Sequence, residues 1–440
     1  MIDRVLLIRA ACLYLPLSGA VAVWFWRRPA RSEVTGVFMA CIWNAALLPV
    51  LHLAAFHFGW WSFHAQGGLM LGFPVDLYLG WILLWGIIPT LAFRRTNLAI
   101  VALIFFALDF LFMPQAAPVV KLGNDWLLGD LAGILLCLMP SQLLARWTRD
   151  QRHLYARVLL QVIIFSILPM GILPAVILEQ THKTWLPLLA MPGWRISLWF
   201  QGFMLPGVLG LSAVQEFAQR GGGTPIPYDP PRRLVTSGAY AYVRNPMQLS
   251  AMTVLLLLGI VLRSYWIAAA AVMAHIYSAG LAAWDEGDDL AERFGSPWKR
   301  YRMQVRNWWP RWKPWYTTAA FQESTPPARI YISQTCGMCN QVAGFLRRRN
   351  PAGLEILPAE QHPDRSLRRM TYDPADGGAS EQGIAALARA LEHIHLGWAF
   401  LGFAIRLPVI CQTLQLIVDS CGGGEREVAS AVCRNHRVET

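Results

Sequence analysis

The sequence predicts a polytopic α-helical membrane protein, with about nine transmembrane helices and a small C-terminal cytoplasmic α/β domain. Three observations predict it. Apolar residues fill 55% of the 440 positions and charged residues only 15%, far from the soluble average. The apolar residues come in blocks of roughly 20, long enough to cross a bilayer. Beyond residue 328 these blocks give way to short β-like runs alternating with helical ones. The net charge of +11 sits mostly in short loops between apolar runs, so it reads as membrane topology and not as nucleic-acid binding. Twenty tryptophans fit interfacial aromatic belts.

Taken in order, the nine blocks are Val5–Trp26, Val34–Phe58, Leu69–Phe93, Leu98–Met113, Leu127–Leu144, Leu154–Leu178, Ile196–Val214, Met247–Leu262 and Tyr265–Trp284. Odd-numbered connections carry arginines: Arg27, Arg28 and Arg31; Arg94 and Arg95; Arg146, Arg149, Arg152 and Arg157; Arg220, Arg232, Arg233 and Arg244. Even-numbered connections carry little beyond Lys121, Lys183, Arg195 and Arg263. The positive-inside rule then puts the N-terminus outside and everything after Trp284 in the cytoplasm. The first block has its positive cluster after the apolar run, which reads as a signal anchor; Ala20–Ala22 leaves cleavage open. Cysteines lie inside apolar runs (Cys12, Cys41, Cys137), so no extracellular disulfide framework is indicated.

Four divisions follow: N-terminal helices of unassigned role over 1–180, a membrane module over 181–315, a linker over 316–327 and an α/β domain over 328–440. Within the last, Arg329–Ile332 and Leu354–Leu357 read as strands, and Cys336–Arg349 and Glu381–His395 as helices. Leu396–Val418 is apolar enough for a tenth span, but the Arg406-Leu407-Pro408 interruption favours buried helices.

Two polar segments flank the last helical hairpin. The first runs from Gly222 to Met247 and ends Gly238-Ala-Tyr240-Ala-Tyr242-Val-Arg244-Asn245-Pro246-Met247. Gly238 permits a backbone conformation closed to other residues, and Pro246 suits the first turn of a helix. A helix N-terminus is a natural seat for a carboxylate, Arg244 can pair with one, and Tyr240 and Tyr242 can stack on an aromatic ring. The plain alternative is a positively charged loop with interfacial tyrosines. The second segment holds Glu286, Leu290, Phe294, Gly295, Tyr301, Val305, Trp309 and Pro310. Glu286 suits a cationic or amine-bearing ligand; the plain alternative is a solvated juxtamembrane helix.

These two segments, in this order over 220–312, resemble the isoprenylcysteine carboxyl methyltransferase-like family of integral membrane methyltransferases, in its bacterial branch. The resemblance implies S-adenosyl-L-methionine as methyl donor, a pocket at the cytoplasmic face of a bacterial inner membrane, and a small or lipid-like acceptor arriving through the lipid bilayer. By position, Gly238, Tyr240, Arg244, Asn245, Pro246, Glu286 and Tyr301 would contact the cofactor, with Arg244 and Glu286 as the catalytic candidates. The chain departs from the family at Gln248, where a tyrosine is common, and at Gly287, where a second glutamate is common. No base stands beside the motif, which favours a carboxylate or thiol acceptor.

Cys336-Gly-Met-Cys339 follows a strand-like run directly. A helix N-terminus there would lower the thiol pKa and make Cys336 the nucleophile and Cys339 the resolving thiol. A zinc site would need Cys411, Cys421, Cys433 or His436 besides, and two incidental cysteines are the plain alternative. The run from Arg329 resembles the DCC family of thiol–disulfide oxidoreductase-like domains. That implies a thioredoxin-like fold and a cytoplasmic thiol partner, although Ser333-Gln334-Thr335 replaces the usual approach to the first cysteine and no proline takes the cis-proline place.

Two function classes therefore stand. The first is a membrane methyltransferase with an appended thiol–disulfide domain. The second is a membrane-anchored thiol exchanger or redox partner whose methyltransferase module is non-catalytic. No resident metal is expected. Arg9, Asp76, Asp109 and Asp130 lie in or beside apolar runs and are functional candidates by default. His52, His57 and His64 do not share one helix face, so they make a poor metal site.

Overall fold

The structure, a computed structural model, describes residues 4–225, 231–278, 283–318, 321, 326–363 and 366–428, apart from the side chains of 277 and 283–288. The chain forms two compact units: Met1–Ala190, Gly223–Pro230, Val261–Ile267, and Met191–Gly222, Pro231–Ile260, Ala268–Thr440. Among the described residues seven helices are long and apolar enough to cross a membrane, six in the first unit and one in the second. This is a helical membrane protein.

The first unit holds α1 (Arg4–Arg27), α2 (Arg31–Phe58), α3 (Val75–Ala92), α4 (Leu98–Ala116), α5 (Trp126–Arg149) and α6 (Leu154–Gln180). Burial decides which are central: 56% of the apolar window of α2 and 50% of that of α5 is buried, against 6% for α1. Exposed Leu6, Leu7, Leu15 and Phe25 give α1 a surface suited to lipid. Small residues set the close crossings. A Cβ added at Gly36 of α2 would lie 2.8 Å from the Ala145 carbonyl oxygen of α5, so only glycine lets these backbones meet. Three spans of this unit contain a π-helical turn, Leu83–Ile87, Ile134–Leu138 and Leu168–Ile172. Pro89, Pro140 and Pro174 follow them, and a proline that cannot donate to the preceding turn accounts for the local widening.

The third apolar block is not helical from its start. Leu69–Met70 (β2) and Phe73–Pro74 (β3) form a hairpin turned at Leu71 and Gly72, both with positive φ, and α3 begins only at Val75. Trp61–Phe63 (β1) pairs antiparallel with Val120–Leu122 (β4). Of the four intramembrane ionisable candidates, Arg9 and Asp76 neutralise each other at 2.5 Å.

In the second unit α7 (Gly193–Gly221) is the long apolar helix. It is followed by α8 (Pro246–Val261), α9 (Tyr265–Tyr277) and α10 (Ala283–Gln304). At 16 and 13 residues, α8 and α9 are shorter than the roughly 20 that a span needs. The end of the ninth predicted block, at 279–282, lies outside the described residues. Helix α10 is broken at Gly295, whose φ of 56° and ψ of −129° are not helical, two residues before Pro297.

Four strands make one mixed sheet: β5 (Ala328–Ile332), β6 (Leu354–Pro358), β7 (Thr371–Asp373) and β8 (Glu381–Gln382). Their order is β6-β5-β7-β8, with β5 and β6 parallel and the other pairs antiparallel. Helix α11 (Gly337–Arg349) makes the crossover from β5 to β6. The helix expected over Glu381–His395 instead opens as strand β8. Gly383, at φ 60°, turns the chain, and α12 runs only over Ile384–Leu391. Leu396–Arg406 (α13) and Pro408–Val418 (α14) are separate helices bent by 87°, as Pro408 requires.

Tyr242, Trp298, Tyr301, Val305, Trp315, Tyr316 and Phe321 share one apolar core with Ala399 and Phe403 of α13. Tyr316 and Phe321, inside the expected linker over 316–327, thus join the core that buries the signature loop against the C-terminal helices.

Candidate functional site

The site is built where α7 ends. Gly238 adopts φ +60°, and a Cβ there would lie 3.0 Å from the Glu216 carboxyl carbon, so both conformation and space demand glycine. The Ser237 hydroxyl donates to Glu216 from the preceding position. Gly238–Ala241 then forms a single 3₁₀ turn, and α8 starts at Pro246, the position that proline favours.

The second segment is hydrogen-bonded directly onto the first. The Arg244 N–H donates to the Arg306 carbonyl at 2.9 Å and the Asn245 N–H to the Asn307 carbonyl at 3.3 Å. The Arg311 N–H donates to the Tyr242 carbonyl at 2.9 Å, and the Tyr301 hydroxyl to the Tyr240 carbonyl at 2.8 Å. Residues about 60 apart in sequence are thereby held in register. The Arg244 guanidinium lies over Trp298, 5.5 Å from the ring centre, and donates to the Arg302 carbonyl at 3.2 Å.

The tyrosines take a different place from the ring-stacking expected of them. Tyr240, Tyr242 and Tyr301 are buried in the core. Tyr242 also donates to the Glu392 carbonyl at 2.8 Å. Burial pushes the Tyr242 and Tyr301 phenols well above their ordinary pKa, so neither serves as a base. Three buried polar atoms here have no hydrogen-bond partner: Nε1 of Trp298, the ring under Arg244; Oδ1 of Asn307, whose backbone pairs with Asn245; and Oε1 of Gln248 in the first turn of α8. Sequence inspection treated Gln248 only as a departure and did not single out Asn307. Glu286 belongs to α10, but its side chain lies outside those described, as do residues 226–230 of the loop.

Sequence reasoning missed a buried ionic cluster. Glu216 contacts Arg389 and Arg406, both at 2.8 Å. Arg389 also meets Glu381 at 2.8 Å and Glu392 at 3.1 Å, and Arg406 meets Glu392 at 2.8 Å. Arg220 joins through Glu381 at 3.0 Å. Burial alone would push the Glu381 carboxyl up, yet Arg389 and Arg406 outweigh it and hold it below the usual range. Through Glu216 the cluster bears on Ser237 and Gly238, so α12 and α13 brace the signature loop. The partners are separated by as many as 190 positions, and no local spacing announces them.

Cys336 is the N-cap of α11, its sulfur accepting from the Cys339 N–H at 3.4 Å. The hydrogen bond from the Cys339 thiol, aided by the Cys339 and Met338 N–H groups, lowers the Cys336 pKa. Burial, reinforced by that same bond, pushes Cys339 up to about 12. One half-buried thiol is favoured as thiolate and its equally half-buried neighbour holds its proton. Among the described residues no three metal-ligating side chains cluster, and Cys433 and His436 lie outside them. His52, His57 and His64 form no such cluster either.

The fold and this site define an integral membrane protein in which two polar segments, far apart in sequence, are hydrogen-bonded to one another. Comparison with protein-family profiles, curated proteins and solved structures finds no match to the chain.

Proposed function

We propose that the chain is an S-adenosyl-L-methionine-dependent integral membrane methyltransferase acting on a small or lipid-like carboxylate or thiol. The observation that carries this is the registered pairing of 240–245 with 301–311, together with the unpartnered buried polar atoms Trp298 Nε1, Asn307 Oδ1 and Gln248 Oε1 on these segments and the helices that continue them. Those atoms fit the amino-acid end of the cofactor. Arg244 and the Trp298 N–H suit its carboxylate, and the Gln248 and Asn307 carbonyl oxygens suit its ammonium. Buried groups of this kind cost free energy unless something bonds them.

When bound, the cofactor supplies a methyl group already activated on a sulfonium. The protein is then asked to hold, orient and exclude water, which can provide most of the rate gain. Arg244 is fixed by the Arg302 carbonyl and the Trp298 face, so its charge is oriented before any ligand arrives. With both signature phenols pushed up by burial, an acceptor that is already ionised fits best. An outside N-terminus, a cytoplasmic C-terminal domain and a bacterial inner membrane belong to this same proposal. The arginine asymmetry of the loops supports the orientation. An odd number of spans gives it whether the short α8–α9 hairpin crosses, making nine, or does not, leaving seven.

The test is S-adenosyl-L-methionine binding to detergent-purified full-length protein beside Arg244→Ala, Trp298→Phe and Glu286→Gln. Loss of one charge-assisted hydrogen bond should weaken binding about 10- to 100-fold in Arg244→Ala, and less in Trp298→Phe. A folded wild type that binds no cofactor, or binding indifferent to all three changes, would sink the proposal.

A second activity, thiol–disulfide exchange, is favoured by the asymmetric Cys336–Cys339 pair at the start of α11. The sheet order β6-β5-β7-β8 supports a thioredoxin-like reading of this domain. Met370, and not a proline, precedes β7, which leaves the partner-binding edge unlike that of a thioredoxin. This activity requires the pair to form an internal disulfide.

A further inference from the structure

The first unit contains a small cavity that neither activity above uses. It is lined by Leu48, Leu51, His52, Trp61, Phe63, Phe73, Trp81, Trp85, Met113, Gly129 and Asp130, and its volume is about 20 Å³. That is room for one water-sized species. Three acidic or basic side chains serve it. Asp130 and His52 line it, and Asp109 of α4 is a hydrogen-bond neighbour of Asp130 of α5. All three are buried, with 4–6% of their surface exposed. Asp109 Oδ2, Asp130 Oδ2 and His52 Nδ1 nevertheless have no hydrogen-bond partner.

One oxygen of each carboxyl group and an imidazole nitrogen, left unpartnered within apolar helices, are expensive, and such groups mark a ligand or ion path. The walls narrow the ligand class. His52 packs against the stacked pair Phe63 and Phe73, each 5.1 Å away centre to centre, and Trp81 and Trp85 stand 6.4 Å apart. Aromatic faces attract cations once water is excluded, and the Asp109–Asp130 carboxyl pair, sharing one proton across its hydrogen bond, supplies acceptors and a single negative charge. Among the described residues no set of three side chains meets metal-ligand geometry, so a cation that hydrogen-bonds suits the site better than a metal ion. The packing is also intolerant: a Cβ at Gly129 would come within 2.4 Å of Trp61, so this wall is built to its present size.

We propose that the Asp109–Asp130–His52 cavity of the first unit is a binding site for ammonium or a protonated amine of similar size. The N–H groups of the ligand meet the free oxygens and His52 Nδ1, while the aromatic rings take the remaining charge. The N-terminal helices are then a ligand-responsive part of the protein and not a passive anchor.

The experiment is hydrogen–deuterium exchange of the full-length protein in ammonium chloride, sodium chloride or choline chloride at equal ionic strength. Ammonium at ten times its dissociation constant should slow opening of the site about tenfold, in peptides from 98–116 and 126–149. Sodium and choline should not. The slowing should be lost in Asp130→Asn and Asp109→Asn. Equal exchange in the three salts with wild-type protein overturns the proposal, whatever the variants do. So does equal protection by sodium, or an ammonium effect that survives in both variants, which would leave the cavity as a water site only.

Discussion

Replacing Arg389 by Met is the sharpest test of how the second unit holds its signature loop. Arg389 is buried and touches three carboxylates, Glu216 at 2.8 Å, Glu381 at 2.8 Å and Glu392 at 3.1 Å. Methionine keeps most of the volume but removes one of three positive charges, since Arg406 and Arg220 remain. Three carboxylates then face two guanidiniums, with Glu216 wholly enclosed. Breaking a buried pair by deleting one partner costs about 3–5 kcal/mol, because the charge left behind is uncompensated. Arg329→Met is the control. Arg329 meets Glu355 at 3.3 Å with both side chains about half exposed, and its loss should cost about 1 kcal/mol or less. Resistance to proteolysis as a function of urea, in mild detergent, gives both values. Equal effects for the two variants, or a loss under about 1 kcal/mol for Arg389→Met, would refute the buried-cluster reasoning. The loss should also loosen 237–245, because Glu216 is the group on which Ser237 and Gly238 rest.

Two further outcomes follow from titratable groups outside the spans. Burial holds His393 down at about 4, and its neutral form is fixed by Nδ1–H donating to the Ala352 carbonyl at 2.7 Å and Nε2 facing the Tyr372 hydroxyl at 2.9 Å. Its folded pKa lies below the unfolded value of 6.5, so stability is full above 6.5 and falls as pH drops towards 4. The loss is about 3 kcal/mol in all. A urea midpoint flat across that window would contradict the assignment. For the dithiol, iodoacetamide should modify Cys336 below the ordinary thiol range and leave Cys339 silent until pH approaches about 12. In glutathione buffers the two should form one internal disulfide. Equal reactivity, or no disulfide at any ratio, would remove the exchange activity.

Much of the helical framework was legible because apolar blocks of bilayer length need no tertiary context to be recognised. The exceptions have local causes. Leu69–Pro74 is apolar yet turns back at Leu71-Gly72, and a hydropathy window cannot see a positive φ. Strands β7 and β8 were missed because three and two residues are too few to show a period. At the site, the left-handed turn at Gly238 and the helix start at Pro246 were legible in sequence because they lie in the backbone preferences of those residues. Trp298, Gln248 and Asn307 were not, because what distinguishes them is the lack of a partner in a buried place.

By itself, then, the sequence determined the membrane-spanning character, the glycine turn before α8 and the primed cysteine at the head of α11. Each depends on residues adjacent in the chain, where composition and backbone preference act directly. Only the tertiary structure decided that the signature tyrosines face the core, that Glu216 shares its charge with Arg389 and Arg406, and that Asp109 meets Asp130 beside an aromatic cavity. Burial and pairing are properties of distant segments brought together, and the free energy of a charge is set by those neighbours and not by its own position in sequence.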